Sequence, residues 1–393
     1  MRILLLHNRY RQRGGEDVCV DAHKRLLESN GHEVRLVEAS NEQISGSVAV
    51  MKAAIGWVYS YKWEAVVARE IASFRPQVAH VHNVFPLLSP SVIYACSAAG
   101  VPVVQTLHNY RLLCPVGTLF RSGRVCEDCV KTVFPWPGVA HRCYHKSALG
   151  TAVVGAGLVA HRLLGTYTRR VDYFVALTEF AREKFISANL PQEKLKVIPN
   201  WLASDPGQGD GSGCYFLFVG RLTAEKGVTT LLDAWRKVKP RAVLKVVGSG
   251  PLEGAVAAAA EGGAGVEHLG YQTHSESLRL MQKATALIVP SQWYEGLPMT
   301  IVEAYAVGTP VIASQLGSLT ELVADERTGW LFQPGDSDTL ARKIEWAIAN
   351  PQILPSMRLA ARAEYEGKYT AEHCYRQLME LYTCAIGRGG VGN

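Results

Sequence analysis

The chain has 393 residues, 48% of them hydrophobic and 19% charged, with a formal net charge of +6. That composition reads as a soluble globular protein able to bury a substantial core, and the length favours two domains over one. The opening "MRILLLHNRYR" is too short in its apolar run for a secretory signal, and uncharged stretches such as residues 147–160 fall short of a membrane span, so the expected compartment is the cytoplasm.

Charge is unevenly spread. Residues 1–200 carry 24 Lys+Arg against 15 Asp+Glu, and the remainder carries 17 against 20. A basic first half suits an anionic partner, whether a membrane surface, a phosphate-bearing substrate or nucleic acid, and equally a solvated face with no partner.

Short β-rich runs alternate with helical patterns along the whole chain, which predicts parallel sheets flanked by helices. The first half offers strands at residues 2–7, 32–38, 77–82, 101–108, 172–178 and 194–199. Within it, residues 47–74 combine Trp57, Tyr59, Tyr61 and Trp63 with Lys52, Lys62 and Arg69, read as one amphipathic helix suited either to core packing or to a membrane interface. The second half repeats the scheme at 215–222, 242–250, 266–271, 286–291 and 310–314, followed by amphipathic helices over 336–350 and 351–365. Between the halves, "ASDPGQGDGSG" (203–213) has the composition of a hinge. The expected fold is α/β: two Rossmann-like, doubly wound domains at 1–202 and 214–370 facing a central cleft, with a helix over 371–393 crossing back to the first.

The stretch "PSQWYEGLPMTIVEAYAVGTP" (290–310) sets the chemical question, because it buries a carboxylate in an apolar helix. Pro298 fits a helix start and Gly308 its stop. Glu303 then lies about 7 Å along the axis from Pro298, among Met, Ile, Val, Ala and Tyr. A lone carboxylate there is costly unless it accepts hydrogen bonds, as from the two hydroxyls of a ribose, while the helix amides attract phosphate. Glu295, in the preceding loop, reaches a second polyhydroxylated group; the alternative places both carboxylates in solvent. In "VGRLTAEKG" (219–227), Arg221 and Lys226 follow a strand, where two cations neutralise a leaving diphosphate or simply decorate a strand end.

With "VVGSGPL", "HLGYQ" and "TGWLF", these segments resemble the retaining GT-B glycosyltransferases of family 4. The resemblance implies transfer of a sugar from a UDP- or GDP-linked donor with retention of configuration. It implies that Arg221 and Lys226 bind the diphosphate, Glu303 the ribose and Glu295 the donor sugar, with Gly296, Leu297, Pro298, Met299 and Thr300 seating sugar and phosphate. His108, at the end of the fourth strand, matches the family's active-site histidine. Gly14 and Gly15 follow the first strand and would let the backbone approach donor or acceptor, unless they form an ordinary turn. Since cations and helix amides take up the leaving charge, no catalytic metal is expected; the D-x-D at Asp336–Asp338 reads as a helix cap.

Four cysteines, Cys114, Cys126, Cys129 and Cys143, are spaced C-x11-C-x2-C-x13-C within an insert over about 109–146. The spacing suits one structural zinc, with free thiols, disulfides or an iron–sulfur centre as alternatives and His141 and His145 as substitute ligands. His80 and His82 share one strand face, which reads as core or cleft wall rather than a metal pair for want of a third ligand nearby in sequence. The basic first half makes a glycan acceptor, lipid-linked at the inner membrane face, the working expectation. The rival readings are a nucleotide-sugar epimerase or a sugar phosphorylase of the same shape, and a zinc-ribbon nucleic-acid binder; the last leaves Glu303 unexplained, so no nucleic acid is expected.

Overall fold

The computed structural model describes residues 1–11, 14–239, 242–263 and 265–389. The chain forms two compact units: Met1–Leu119, Cys126–Ala203 and Ala371–Asn393 make one, and Phe120–Val125 with Ser204–Thr370 make the other. Its strands in chain order are β1 (Arg2–Arg9), β2 (Glu33–Ser40), β3 (Val78–Val81), β4 (Val103–Leu107), β5 (Phe120–Arg121), β6 (Arg124–Val125), β7 (Tyr173–Ala176) and β8 (Leu195–Val197). There follow β9 (Tyr215–Val219), β10 (Val243–Val247), β11 (Val266–Gly270), β12 (Ala286–Val289), β13 (Val311–Ser314) and β14 (Gly329–Phe332).

The first unit's sheet runs β2-β1-β3-β4-β7-β8, all parallel, with Leu4 of β1 level with Arg35 of β2 and Ala79 of β3. Parallel strands are covered by helices on both faces, so they are apolar throughout rather than alternating. Ile3 to Leu6 are all fully buried. The last helix, Ala371–Gly389, lays Cys374, Leu378, Tyr382 and Ala385 against Ile3, Leu5 and Val104 of this sheet.

The second unit's sheet runs β11-β10-β9-β12-β13-β14, again parallel. Its core joins Phe216, Leu244, Ile288 and Trp330 to Leu231 and Leu340 of the covering helices. In each sheet the chain winds outward from a central strand and then returns to its other side, at β1 between β2 and β3 and at β9 between β10 and β12. Such a switch point leaves a crevice beyond the carboxyl ends of the strands, the place where doubly wound sheets bind ligands.

Three local features differ from the sequence reading. Residues 47–74 form two helices, Gly46–Val58 and Tyr61–Phe74, because Ser60 caps the second, its hydroxyl accepting from the Trp63 amide at 3.4 Å. Trp57 is core, 2% exposed, and donates to the Val154 carbonyl at 3.2 Å, whereas Met51, Ile55 and Tyr61 face outward. The glycine-rich stretch after Ala203 is bonded to the second unit, Gly209, Gly211 and Gly213 donating to the carbonyls of Val307, Gln282 and Lys283. A Cβ on Gly209 would lie 2.2 Å from the Gln282 oxygen, so close approach explains that glycine. β14 and the hairpin β5–β6 were not anticipated, the hairpin strands being two residues each.

Gly248 shows the same constraint, with φ at +138° and the Gly220 oxygen 1.9 Å from where its Cβ would stand. Gly248→Ala is expected to destabilise by more than about 1 kcal/mol, whereas Gly56→Ala, at an open helical position, should stabilise by at most about 1 kcal/mol. Urea melts of both variants check this, and equal midpoints would refute it.

Candidate active site

In the second unit the loop after β9 and the loop after β12 meet beside the switch point. Gly227, at φ +74°, stands where a Cβ would sit 1.8 Å from the Pro290 oxygen, and the Gln292 amide donates to the Glu225 carbonyl at 2.8 Å. That approach brings Lys226 to Glu295: Nζ donates to Oε1 at 2.7 Å, and the Ser291 hydroxyl donates to the same oxygen at 2.6 Å. Ser318 donates to the Glu295 carbonyl at 2.8 Å, fixing the loop from the other side. Glu295 is buried, which alone would raise its pKa, but the Lys226 charge together with bonds from Lys226 and Ser291 brings it below its ordinary value. The carboxylate is therefore ionised and paired. Arg221 follows β9 on the same loop and is exposed.

Pro298 is the N-cap of the helix Met299–Ala306, and Gly308 follows at φ +72°. Gly296 and Leu297 complete the approach to this helix, whose first residues, Met299 and Thr300, carry unpaired-by-helix amides at its positive end. Glu303 is 8% exposed, as an apolar helix demands. It is not a lone carboxylate, however, because His274 Nε2 bonds its Oε1 at 3.1 Å. That bond, more than the opposing burial, raises the pKa of His274. The sequence reading missed His274, although the capping box Thr273–Glu276 around it was legible as a helix start.

In the first unit, His108 follows β4 and Gly14 is the N-cap of the helix Gly15–Ser29 that follows β1. Neither Gly14 nor Gly15 has a positive φ; a Cβ on Gly14 would touch Asp17 and Tyr10 at 4.0 Å, and one on Gly15 would meet nothing within 4 Å among the described residues. The two loops are tied together: Asn109 donates to Glu16 at 2.7 Å and Tyr10 donates to the other Glu16 oxygen at 2.9 Å. Asp17, buried, takes the Gly14 amide at 2.8 Å and His7 Nε2 at 2.8 Å. His108 Nε2 lies 2.9 Å from His82 Nδ1, and burial lowers the pKa of His108 so that it is neutral. Glu16, Asp17 and His7 were not singled out in the sequence, and His82 was read with His80 as core or cleft wall; their contacts are visible only once β1, β3 and β4 lie side by side.

The cysteines of the insert gather without closing. Burial raises the Cys129 thiol to about 11, and the neighbouring Cys114, Cys126 and Cys143 thiols push it the same way. Among the described residues, the three side chains whose ligand atoms all lie within 4.8 Å of one another are His23, His80 and His82, and the four sulfurs make no such group. Asp336 caps the helix Ser337–Ala349, accepting from the Asp338 and Thr339 amides at 2.8 and 3.1 Å.

Solved structures share this architecture over almost the whole chain. HepE of Anabaena, crystallised with UDP, covers 98% of this chain and 100% of its own at a TM-score of 0.69 and 19% identity. Sucrose-phosphate synthase from Thermosynechococcus elongatus covers 98% and 99% at a TM-score of 0.71 and 18% identity. The fold is GT-B, the architecture of a large class of glycosyltransferases. Two family profiles divide the chain between them: "Glycosyltransferase Family 4" matches residues 13–205 and "Glycosyl transferases group 1" matches 208–368. The protein belongs to glycosyltransferase family 4.

Among curated relatives, the amylovoran biosynthesis glycosyltransferase AmsK of Erwinia amylovora is 31% identical over 177 residues, 42% of this chain and 43% of that protein. The putative colanic acid biosynthesis glycosyltransferase WcaL of Salmonella typhimurium is 24% identical over 260 residues, 60% and 64% of the two chains. The chain thus matches less than two thirds of the length of these relatives.

Burial lowers His23 to about 3 and holds His80 and His82 well below the ordinary histidine value. The unfolded chain takes up protons near pH 6.5 that the folded one refuses, so this stability is full above about 6.5 and falls with pH, at about 1.4 kcal/mol per unit for each histidine. Urea midpoints should hold steady from pH 8 to 7 and drop below pH 6.5, less steeply in His23→Asn; an equal slope in the variant would contradict the assignment.

Proposed function

We propose that the protein transfers a sugar, with retention of configuration, from a UDP- or GDP-linked donor to a glycan acceptor in cell-surface polysaccharide or glycolipid synthesis. The observation that carries the reading is the Lys226–Glu295 pair, its lysine on the loop that also carries Arg221, at the switch point of the second sheet. The relatives named for amylovoran and colanic acid biosynthesis support a polysaccharide product, and HepE with UDP supports a nucleotide-linked donor.

The chemistry follows from where charge develops. The bond between the sugar carbon and the diphosphate breaks and its electron pair passes to phosphate oxygen, where Arg221, Lys226 and the amides of the Met299–Ala306 helix stabilise it. An arriving diphosphate competes with Glu295 for Lys226, so donor binding frees that carboxylate to accept from donor-sugar hydroxyls. The acceptor hydroxyl attacks the same face of the sugar carbon, and its proton goes to the leaving phosphate oxygen. Glu303 accepts from the ribose hydroxyls once His274, an exposed partner, yields one carboxylate oxygen. Neutral His108, with Gly14 and Gly15 on the neighbouring loop, is the first unit's part of the same reading. Because fixed cations meet the developing charge, the transfer needs no catalytic metal.

A lipid-linked acceptor at the inner membrane face belongs to the same reading. No helix among the described residues is long and apolar enough to cross a membrane. Its support is surface chemistry: Met51, Ile55 and Tyr61 are 64%, 69% and 78% exposed beside Lys52 and Lys62. A structural zinc on Cys114, Cys126, Cys129 and Cys143 is also proposed. Their gathering around Cys129 supports it, and zinc would draw the sulfurs together as thiolates.

Thermal-shift screening against UDP, GDP and their sugars identifies the donor. With that donor, free nucleotide diphosphate should appear only when acceptor is present. Lys226→Ala should lose turnover by about two orders of magnitude or more with the fold retained, and Glu303→Gln should weaken nucleotide binding about ten-fold. Near-normal turnover in the lysine variant would remove the assignment. For the membrane, flotation with anionic liposomes at low salt should carry the protein upward and Ile55→Glu should reduce it; no binding by the wild type ends that part of the reading.

A further inference from the structure

His80 and His82 lacked a third partner in the sequence, and the fold supplies it. β3 presents both rings on one side, and the helix Gly15–Ser29 lays His23 against them, with ring centroids 4.7 Å from His80 and 5.1 Å from His82. The ligand atoms of all three lie within 4.8 Å of one another, and the three side chains are buried. Together with Cys19 and Thr106 they line a cavity enclosing about 20 Å³ open to the centre of a water-sized sphere. That is room for one small species.

One observation beside the clustering points to a ligand there. His82 Nε2 is buried with no hydrogen-bond partner, although the residue is only 5% exposed, while its Nδ1 is taken by His108. A buried imidazole nitrogen without a partner is costly, and a cation is one partner that a bare lone pair accepts. Other ring nitrogens are engaged by protein groups: the Tyr382 hydroxyl lies 2.6 Å from His80 Nδ1 and 3.5 Å from His23 Nε2. The spacing is that of a chelate, two histidines two apart on a strand and, on the facing helix, His23 four residues after Cys19.

We propose that His23, His80 and His82 form a binding site for one zinc-class divalent transition ion. Three neutral imidazoles suit zinc, with a water or the Cys19 sulfur as the fourth ligand, and they do not suit magnesium or calcium. Binding exchanges one of the hydroxyl bonds of His80, to Tyr382 or to Thr106 at 2.7 Å, for the ion. It also turns His80 and His82 out of their present stack, 12° from parallel with centroids 4.5 Å apart, so that their lone pairs converge. With Nε2 on the ion, His82 carries its proton on Nδ1 and donates it to His108 Nε2, so occupancy fixes the tautomer of His108. The site is separate from the cysteine cluster and does not depend on the proposed transfer reaction.

The test uses the full chain stripped by a chelator and reloaded with zinc or, as a spectroscopic probe, cobalt(II). Wild type should retain one more zinc per chain than either His23→Gln or His82→Phe. Its cobalt form should show a visible d–d absorption component that both variants lack. The cysteines are present in all three proteins, so their contribution cancels. Equal zinc content and superimposable spectra overturn the proposal. Should either variant fail to fold, as judged by circular dichroism, zinc X-ray absorption on the wild type decides. An imidazole nitrogen component in the averaged shell, beyond the sulfur of any cysteine-bound zinc, supports the site, and a sulfur-only shell or no retained zinc overturns it.

Discussion

The second unit's site depends on two places where backbone touches backbone. Lys226 and Glu295 are 69 positions apart and sit on loops after different strands, β9 and β12. They meet because Gly227 has no side chain to hold the Pro290 carbonyl away. Gly248 does the same beneath Gly220, letting the loop after β10 press on the loop that carries Arg221, where the Leu222 amide donates to the Ser249 carbonyl at 2.9 Å. The glycines of "GRLTAEKG" and "VVGSGPL" are therefore packing requirements. They set the separation of the loops, and the separation sets which charges face each other.

The sheets were legible because a parallel strand buried on both faces is a short apolar run that little else imitates, as in "RILLLH" and "ALIVP". β14 was obscured by its length of four residues and by Gly329, a weak strand former whose absent side chain admits the Val311 carbonyl. Glu303 could be recognised as anomalous from sequence alone, since a carboxylate inside "MTIVEAYA" contradicts its neighbours. Its partner could not: His274 lies 29 residues earlier, at the exposed start of another helix, and nothing local marks it. The break at Ser60 was hidden differently. Aromatic periodicity carries across residues 59–61, and only the cap shows that the backbone does not.

The first unit solves a different physical problem. Close to the ends of β1, β3 and β4 it gathers the buried imidazoles of His7, His23, His80 and His82 with the half-buried one of His108. Among the described residues, only His7 of the five is bonded to a carboxylate, Asp17, while Glu16 and Asp17 act on His108 from farther off. The rest are held by hydroxyls and by each other, an arrangement that is stable only while they are neutral, since burying a charge without a counter-charge costs several kcal/mol. Neutrality is thus a structural condition for these rings and a chemical property of His108 at the same time.

The chain's last helix takes part in this condition. Tyr382 lies in Ala371–Gly389, 302 residues after His80, and its hydroxyl is the hydrogen-bond partner of His80 Nδ1. Without that helix, Ile3, Leu5 and Val104 would lose the apolar cover of Leu378 and Ala385, and His80 would lose one of its two hydroxyls. His80 stacks on His82, and His82 bonds His108, so the ring following β4 is positioned through a relay that begins in the final turns of the sequence. A chain whose first half is synthesised first nevertheless cannot complete the setting of that histidine until the helix Ala371–Gly389 has docked.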